Sequence, residues 1–188
     1  MLASILTKKN AGKPAYDRVL IAAHSLGTII AYDTMNVLLN NARTADPADP
    51  DSFQASDLNN LRGLLTFGSP LNKIFYFFRE QDDPKYALRR QSLTLLSGFR
   101  LKRTLTHPVP SPPFEDNPDP RWIAANVALA TGFRWINAYS LLDPISSKIV
   151  FYDVDGPQKL CNYKTPFLAH LEYWEDPAIY DFFRNNLL

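Results

Sequence analysis

The stretch "RVLIAAHSLGTIIAYD", residues 18–33, places one serine between two segments of different periodicity. Arg18–Ala23 is a short, continuously apolar run, which is typical of a strand buried in a parallel sheet. Residues 27–40 carry apolar side chains at helical spacing. The predicted buried face of that helix comprises Ile30, Thr34, Val37 and Leu38. The stretch therefore predicts a strand, a serine and a helix in direct succession.

A serine at a strand–helix junction has a specific chemical use. The turn lifts the hydroxyl of Ser25 above the carboxyl edge of the sheet, and the N–H of Leu26 is free to bind an oxyanion at the helix N-terminus. Small residues two positions before and after the serine allow the turn, because larger Cβ groups are expected to clash there. Ala23 and Gly27 occupy these positions, so the pattern is A-x-S-x-G.

Further apolar segments follow the junction at intervals. The other predicted strands are Leu61–Phe67, Trp135–Leu141 and Lys148–Asp153, and a closing helix is predicted at Pro177–Leu188. The first six residues are predicted to end a helix, and Lys8–Pro14 to form a polar loop. Strands that alternate with helices predict an α/β fold with a largely parallel sheet of about four strands.

A long insert separates the second and third predicted strands. Residues 71–134 open with the aromatic run "KIFYFF" and continue through a basic stretch, residues 85–103, that is predicted to be helical. Six prolines between Pro108 and Pro120 predict an extended or irregular segment, and residues 122–131 a further helix. The sequence thus predicts one domain over residues 1–188 that carries a cap-like or lid-like insert.

Composition limits the range of partners and cofactors. The 188 residues include 20 basic and 19 acidic side chains, so nothing indicates a nucleic-acid surface. The single cysteine, Cys161, excludes an intrachain disulfide and a cysteine-rich metal site, and no glycine pattern predicts a nucleotide cofactor. No secretory leader is present, so we expect a soluble, cytoplasmic protein without cofactor or metal.

Four segments resemble the α/β-hydrolase superfamily in its lipase and esterase branch. The stretch around Ser25 is similar to the nucleophile elbow of that superfamily, with Ala23 in place of the first glycine. "LLTFGSPL" (Leu64–Leu71) resembles the next strand, "WINAYSLLDPIS" the strand and loop that carry the acid, and "HLEYWED" (His170–Asp176) the loop that carries the histidine. The segments occur in the order of the family and cover about a third of the chain.

The base of a serine nucleophile must be one of three histidines. His24 adjoins the serine and is expected to have a packing or supporting role, and His107 lies in the insert, before every plausible acid. His170 is the only histidine after the fourth predicted strand, where the order serine, acid, histidine requires the base. The sequence therefore predicts His170 as the base that activates Ser25.

The acid has three candidates from the residues alone. Asp143 follows the third predicted strand and precedes a proline, whereas Asp153 and Asp155 lie one strand later and also suit a turn. The family resemblance implies Asp143. Asp176 is predicted to be a helix N-cap, and Cys161 an idle or packed thiol.

The resemblance implies a serine hydrolase that cleaves carboxylic esters through an acyl-enzyme. The expected substrate is a small-molecule or lipid ester, and any membrane contact is limited to interfacial binding. Two other functions stay open: a non-catalytic scaffold that binds partners, and acyl transfer to an acceptor other than water.

The resemblance also implies that sequence is missing before the elbow. Only 24 residues precede Ser25, whereas related folds place several strands and a second oxyanion donor there. We therefore expect an N-terminally incomplete copy whose first apolar strand lacks a neighbour. We expect the isolated chain to be poorly soluble or weakly active.

Overall fold

The computed structural model describes residues 1–49, 51–78, 99–100, 129 and 132–188 of the chain. The helices are α1 (Leu2–Leu6), α2 (Gly27–Thr44), α3 (Leu71–Phe78), α4 (Ala169–Glu172) and α5 (Pro177–Leu187), with a 3-10 helix at Ala55–Asn60. The strands are β1 (Lys9–Asn10), β2 (Lys13–Pro14), β3 (Val19–His24), β4 (Leu61–Phe67), β5 (Arg134–Tyr139) and β6 (Gln158–Leu160).

Strands β3 to β6 form one parallel sheet in chain order. Ala23 pairs with Thr66, and Thr66 pairs in turn with Asn137, so the carboxyl ends of the first three strands are level. Loops after parallel strands meet at this edge, which is where α/β folds build their sites. The predicted α/β fold with a parallel sheet of four strands and flanking helices is confirmed.

Alternate side chains of the strands enter two separate cores. On β4, Leu64 faces the core that includes Met35 of α2, whereas Leu65 faces the core that includes Ile179 of α5. Trp135 fills the first core with no exposed surface. Each leucine that is fully buried contributes roughly 1.5–3 kcal/mol to stability. The helices that pack against the two faces therefore both stabilise the sheet.

The buried face of α2 differs from the predicted face. Ile30 is 68% and Val37 54% exposed, and of the predicted large apolar residues only Leu38 is buried. The buried residues are Thr28, Ala31, Tyr32, Met35, Asn36, Leu38, Leu39 and Ala42. The packed face thus combines large apolar side chains, such as Met35 and Leu39, with small ones, such as Ala31 and Ala42.

The fourth strand also lies elsewhere than predicted. Residues 148–153 form no regular strand, because side-chain amides bind their backbone. Gln158 accepts the N–H of Ile149 at 2.7 Å and donates to its carbonyl at 2.8 Å, and Asn72 accepts the N–H of Val150 at 3.1 Å. The strand that pairs with β5 is Gln158–Leu160.

The segment predicted as a polar loop, Lys8–Pro14, contains a minimal hairpin. β1 and β2 pair antiparallel around Ala11 and Gly12, whose φ angles are +50° and +79°. Two positive φ angles are those of a type I′ turn, which suits a two-residue hairpin.

Most of the predicted insert lies outside the described residues, including His107, the proline-rich segment and the helices predicted at residues 85–103 and 122–131. Its first turns form α3, and Phe99 and Leu129 are buried in the core on the α2 side of the sheet. The assignment of residues 71–134 as a cap or lid stays a prediction.

In the described part of the chain, β3 pairs with a strand on one side only, which is the side of β4. Ala22 on this edge strand is exposed. An open strand edge is a template for association with other chains. The predicted poor solubility of the isolated chain stays a prediction.

Candidate active site

Ser25 stands at a strained turn between β3 and α2. Its φ angle is +53°, a left-handed conformation that costs a residue other than glycine about 1–3 kcal/mol. The turn is held at both ends: the N–H of Ser25 donates to the carbonyl of Phe67 at 3.2 Å. The carbonyl of Ser25 accepts the N–H of Thr28 at 3.0 Å and its hydroxyl at 2.7 Å. The strain and its supports match the predicted elbow.

The residue after the serine begins the helix. Leu26 is the N-cap of α2, and its N–H points from the helix N-terminus, where the partial positive charge favours an anion. No oxygen atom within the described ranges accepts this N–H. The structure therefore leaves the predicted oxyanion donor available, and we assign no second donor among the residues that it describes.

His170 reaches the serine from the opposite end of the chain. It lies in α4, and its Nε2 is 2.7 Å from the hydroxyl oxygen of Ser25. The turn before α4 places Phe167 at a φ angle of +68°. A positive φ angle at a bulky residue is uncommon and marks a constrained backbone, which here lies three residues before the histidine.

Asp143 completes the group from the loop after β5. Its side chain has no exposed surface, and its Oδ2 lies 2.9 Å from Nδ1 of His170. The second oxygen, Oδ1, accepts the N–H of Ile145 at 2.8 Å, which fixes the orientation of the carboxylate. The structure thus brings the three predicted residues, Ser25, Asp143 and His170, into one chain of hydrogen bonds.

This arrangement fixes the tautomer of the histidine. A carboxylate can only accept, so Nδ1 of His170 carries the proton that is donated to Asp143. The lone pair of Nε2 then faces the hydroxyl of Ser25 and can take its proton. The geometry is that of a nucleophile, a base and a residue that orients the base.

The competing acids have structural roles. Asp155 accepts the N–H of Trp135 at 2.8 Å and forms an ion pair with Arg100, both away from the histidine. Asp176 accepts the N–H of Ala178 at 2.9 Å, which confirms it as the N-cap of α5. Asp153 is exposed.

Cys161 is buried on the α5 side of the sheet. Burial raises the pKa of its thiol, so the nucleophilic thiolate is disfavoured. Among the described residues, no group of three or more His, Cys, Asp or Glu side chains is arranged to hold a metal ion.

Two glycines near the serine differ in whether their surroundings leave space for a Cβ atom. Gly68, after β4, has a φ angle of +60°, and a Cβ there would lie 2.9 Å from Nε2 of His24. Gly27 has no such constraint, because a Cβ there meets nothing within 4 Å outside its own helical turn and adjacent residues. The clash predicted at Gly27 is therefore absent from its tertiary surroundings. A side chain at Gly68, in contrast, would clash with His24.

Alanine substitutions test this difference. Gly68→Ala is expected to lower the free energy of unfolding by roughly 1–3 kcal/mol, because it adds a strained φ angle and a clash with His24. Gly27→Ala, the matched control, is expected to change it by less than about 0.5 kcal/mol. Urea unfolding measures both, and equal losses in the two variants would contradict the assignment.

Exposed apolar side chains lie close in sequence to the three site residues. Each lies within four positions of Ser25, Asp143 or His170 in the chain and is at least 38% exposed. This apolar rim consists of Leu26, Leu141, Leu142, Ile145, Phe167, Leu168, Leu171 and Trp174. Because the three site residues meet, the chain segments that carry these exposed side chains converge at one site.

The sequence did not indicate the environment of His24. The structure places its ring against the ring of His170, with centroids 4.6 Å apart, and hydrogen-bonds it to Trp174. The expected supporting role is compatible with this position.

Comparisons with protein-family models, curated proteins and solved structures found no match to the chain. In the described ranges, no helix has the length and apolar character that crossing a bilayer requires. The parallel four-stranded sheet, with helices on both faces and the site at its carboxyl edge, is compatible with an α/β-hydrolase fold.

Proposed function

We propose that this protein is a serine hydrolase of the α/β-hydrolase type that cleaves carboxylic esters. The observation that carries the proposal is the hydrogen-bonded chain from Ser25 through His170 to Asp143, with distances of 2.7 Å and 2.9 Å. In this arrangement the base can remove the proton of the serine hydroxyl, and this proton removal is what makes the hydroxyl a nucleophile. The positive φ angle of Ser25 supports the same conclusion.

The first half of the reaction forms an acyl-enzyme. Oγ of Ser25 attacks the ester carbonyl while its proton moves to Nε2 of His170, and Asp143 stabilises the imidazolium. The N–H of Leu26 binds the oxyanion of the tetrahedral intermediate, and one such donor contributes roughly 10²–10³ in rate. The intermediate collapses when His170 protonates the leaving alcohol.

The second half releases the acid. Water donates its proton to Nε2 of His170 and attacks the acyl carbonyl on Ser25, and a second tetrahedral intermediate forms. Its collapse expels Oγ, which takes the proton back from His170. The products are the carboxylic acid and the starting form of the enzyme, so no cofactor is consumed.

The apolar rim supports an apolar acyl group in the substrate. Leu26 is next to the nucleophile and Leu171 next to the base, and their side chains are 66% and 61% exposed. An acyl chain that covers them gains roughly 0.8 kcal/mol for each CH₂ group that leaves water. The substrate class is therefore a small-molecule or lipid ester with an aliphatic acyl chain.

A series of p-nitrophenyl esters tests the proposal. We expect hydrolysis, with kcat/KM rising from the acetate to the octanoate because the longer chain covers more of the apolar rim. Leu171→Asn is expected to lower kcat/KM for the octanoate by roughly tenfold and to affect the acetate much less.

Leu188→Asn is the matched control for this series. Leu188 is 66% exposed, and its carbonyl accepts from Arg18 just before the start of β3, at the far end of the sheet. We expect no change in the preference for chain length. The absence of hydrolysis for every ester by the folded chain would contradict the proposed function.

A further inference from the structure

His24 lies between the edge of the sheet and the segment that carries the proposed base. Its ring stacks on Phe67 with centroids 5.0 Å apart and meets the ring of Trp174 edge-on at 5.4 Å. Gly68 leaves the space that Nε2 of His24 occupies. The ring is thus enclosed by aromatic groups and backbone, although it is not part of the hydrogen-bonded chain from Ser25 to Asp143.

Both ring nitrogens of His24 have partners, and these partners determine its tautomer. Nε2 lies 2.8 Å from the carbonyl of His170, which can only accept, so Nε2 carries a proton. The indole N–H of Trp174 donates to Nδ1 at 3.2 Å, so Nδ1 must offer a lone pair. Only the neutral imidazole with a proton on Nε2 satisfies both contacts.

The charges around His24 agree with this state. Its pKa is lowered: burial is the largest cause, the hydrogen bond to the carbonyl of His170 opposes it, and the charge of His170 lowers it further. Asp143 raises it by the smallest amount. Tyr173, whose ring centroid lies 5.9 Å away, is the other titratable group against the ring, and its own pKa is raised, so it stays neutral.

The carbonyl that His24 binds has no partner in its own helix. α4 has four residues, and the last carbonyls of a helix lack intrahelical donors. The N–H of Trp174, four residues after His170, donates instead to Leu171 at 3.2 Å. His24 therefore supplies the hydrogen bond that ties the backbone of His170 to the end of β3.

We propose that His24 is a positioning residue that, as a neutral Nε2–H donor held in this tautomer by Trp174, fixes the backbone of His170 against the nucleophile strand. Ser25 follows His24 directly, so one rigid strand end presents the nucleophile and anchors the base. The inference rests on the proposed function, because fixing the backbone of His170 matters only if His170 accepts the proton of Ser25. Small displacements of such groups cost up to 10²-fold in rate.

Two substitutions at His24 separate the hydrogen bond from the packing. His24→Phe keeps a ring but loses the donor, and we expect kcat to fall roughly tenfold with KM unchanged. His24→Gln keeps an amide N–H near the position of Nε2, and we expect it to recover most of kcat. If the two variants lose kcat equally, or if KM alone changes, the positioning role is wrong.

Trp174→Phe provides a second test, in case His24→Phe does not fold. Trp174 is 55% exposed, and phenylalanine keeps an aromatic ring while it removes the indole N–H. Nitrogen-15 NMR of the imidazoles should show His24 neutral with Nε2–H as the pH falls through 6.5, its ordinary pKa. In Trp174→Phe the proton on Nε2 should persist, because the carbonyl of His170 still accepts it, but Nδ1 should become protonated at a higher pH than in the wild type, because no donor occupies its lone pair. An Nδ1–H tautomer or a cation in the wild type at neutral pH would overturn the inference.

Tyr16→Phe serves as a control that removes one polar group from a 45% exposed aromatic side chain outside the site. We expect unchanged kcat and an unchanged His24 spectrum. The kinetic assay and the NMR spectrum test the two proposals separately. A folded wild-type protein without esterase activity refutes the proposed function. The NMR spectrum does not depend on activity, and it refutes the positioning role of His24 if the tautomer of His24 is not Nε2–H.

Discussion

Ser25→Ala is expected to lower kcat for ester hydrolysis by roughly 10⁴-fold or more. The substitution removes the oxygen that attacks the carbonyl. The thiol of Cys161 does not replace it, because Cys161 is buried on the α5 side of the sheet and burial raises the pKa of the thiol. Steady-state kinetics with p-nitrophenyl octanoate measure the loss. Thermal unfolding should change little, since among the described residues the hydroxyl of Ser25 hydrogen-bonds only to His170.

Ser69→Ala is the comparison for this variant. Its hydroxyl is buried 2.9 Å from that of Thr28, which holds the elbow, so the substitution removes a structural hydrogen bond and leaves the nucleophile in place. We expect a loss of about 1 kcal/mol in the free energy of unfolding and continued covalent reactivity of Ser25. A Ser25→Ala protein that retains its rate would show that hydrolysis occurs elsewhere.

Asp143→Asn is expected to lower kcat by roughly 10³–10⁴-fold while the fold is retained. The asparagine amide can donate to Nδ1 of His170, which moves the imidazole proton to Nε2. That nitrogen lies 2.7 Å from Oγ of Ser25 and can then no longer accept its proton. The loss should appear in kcat, because the carboxylate is buried and does not touch a bound ester.

Two matched variants distinguish Asp143 from the other acids considered for this role. Asp153→Asn changes an exposed side chain and is expected to leave kcat and stability unchanged. Asp155→Asn weakens contacts with Arg100 and Trp135, so we expect lower stability with kcat retained. A loss of kcat in either variant as large as that in Asp143→Asn would contradict the assignment.

The first three strands of the parallel sheet were predictable because each depends on a local apolar pattern. Leu61–Phe67 has the predicted bounds, since a continuous apolar run between polar flanks suits a strand buried on both faces. The order of Ser25, Asp143 and His170 follows from the order of the strands that carry them. Their convergence requires that these strands lie in one parallel sheet with their carboxyl ends at the same edge, and the alternation of strands and helices predicted such a sheet.

The errors arose where distant residues decide the local structure. Residues 148–153 have an apolar strand pattern, but the amides of Asn72 and Gln158, one of them more than 70 residues earlier in the chain, take their backbone groups. The buried face of α2 includes Thr28, Ala31 and Asn36, whose low hydrophobicity gave no indication that they are buried. The contact between His24 and Trp174 spans 150 residues and has no local signal.

Covalent labelling with a fluorophosphonate tests whether Ser25 is an activated nucleophile. Oγ of Ser25 should attack phosphorus, fluoride should leave, and the proton should pass to His170. Peptide mapping by mass spectrometry is expected to place the phosphonyl group on Ser25, with no adduct in Ser25→Ala and a strongly slowed reaction in Asp143→Asn. A folded wild-type protein that forms no adduct, or forms one at another residue, would contradict the account.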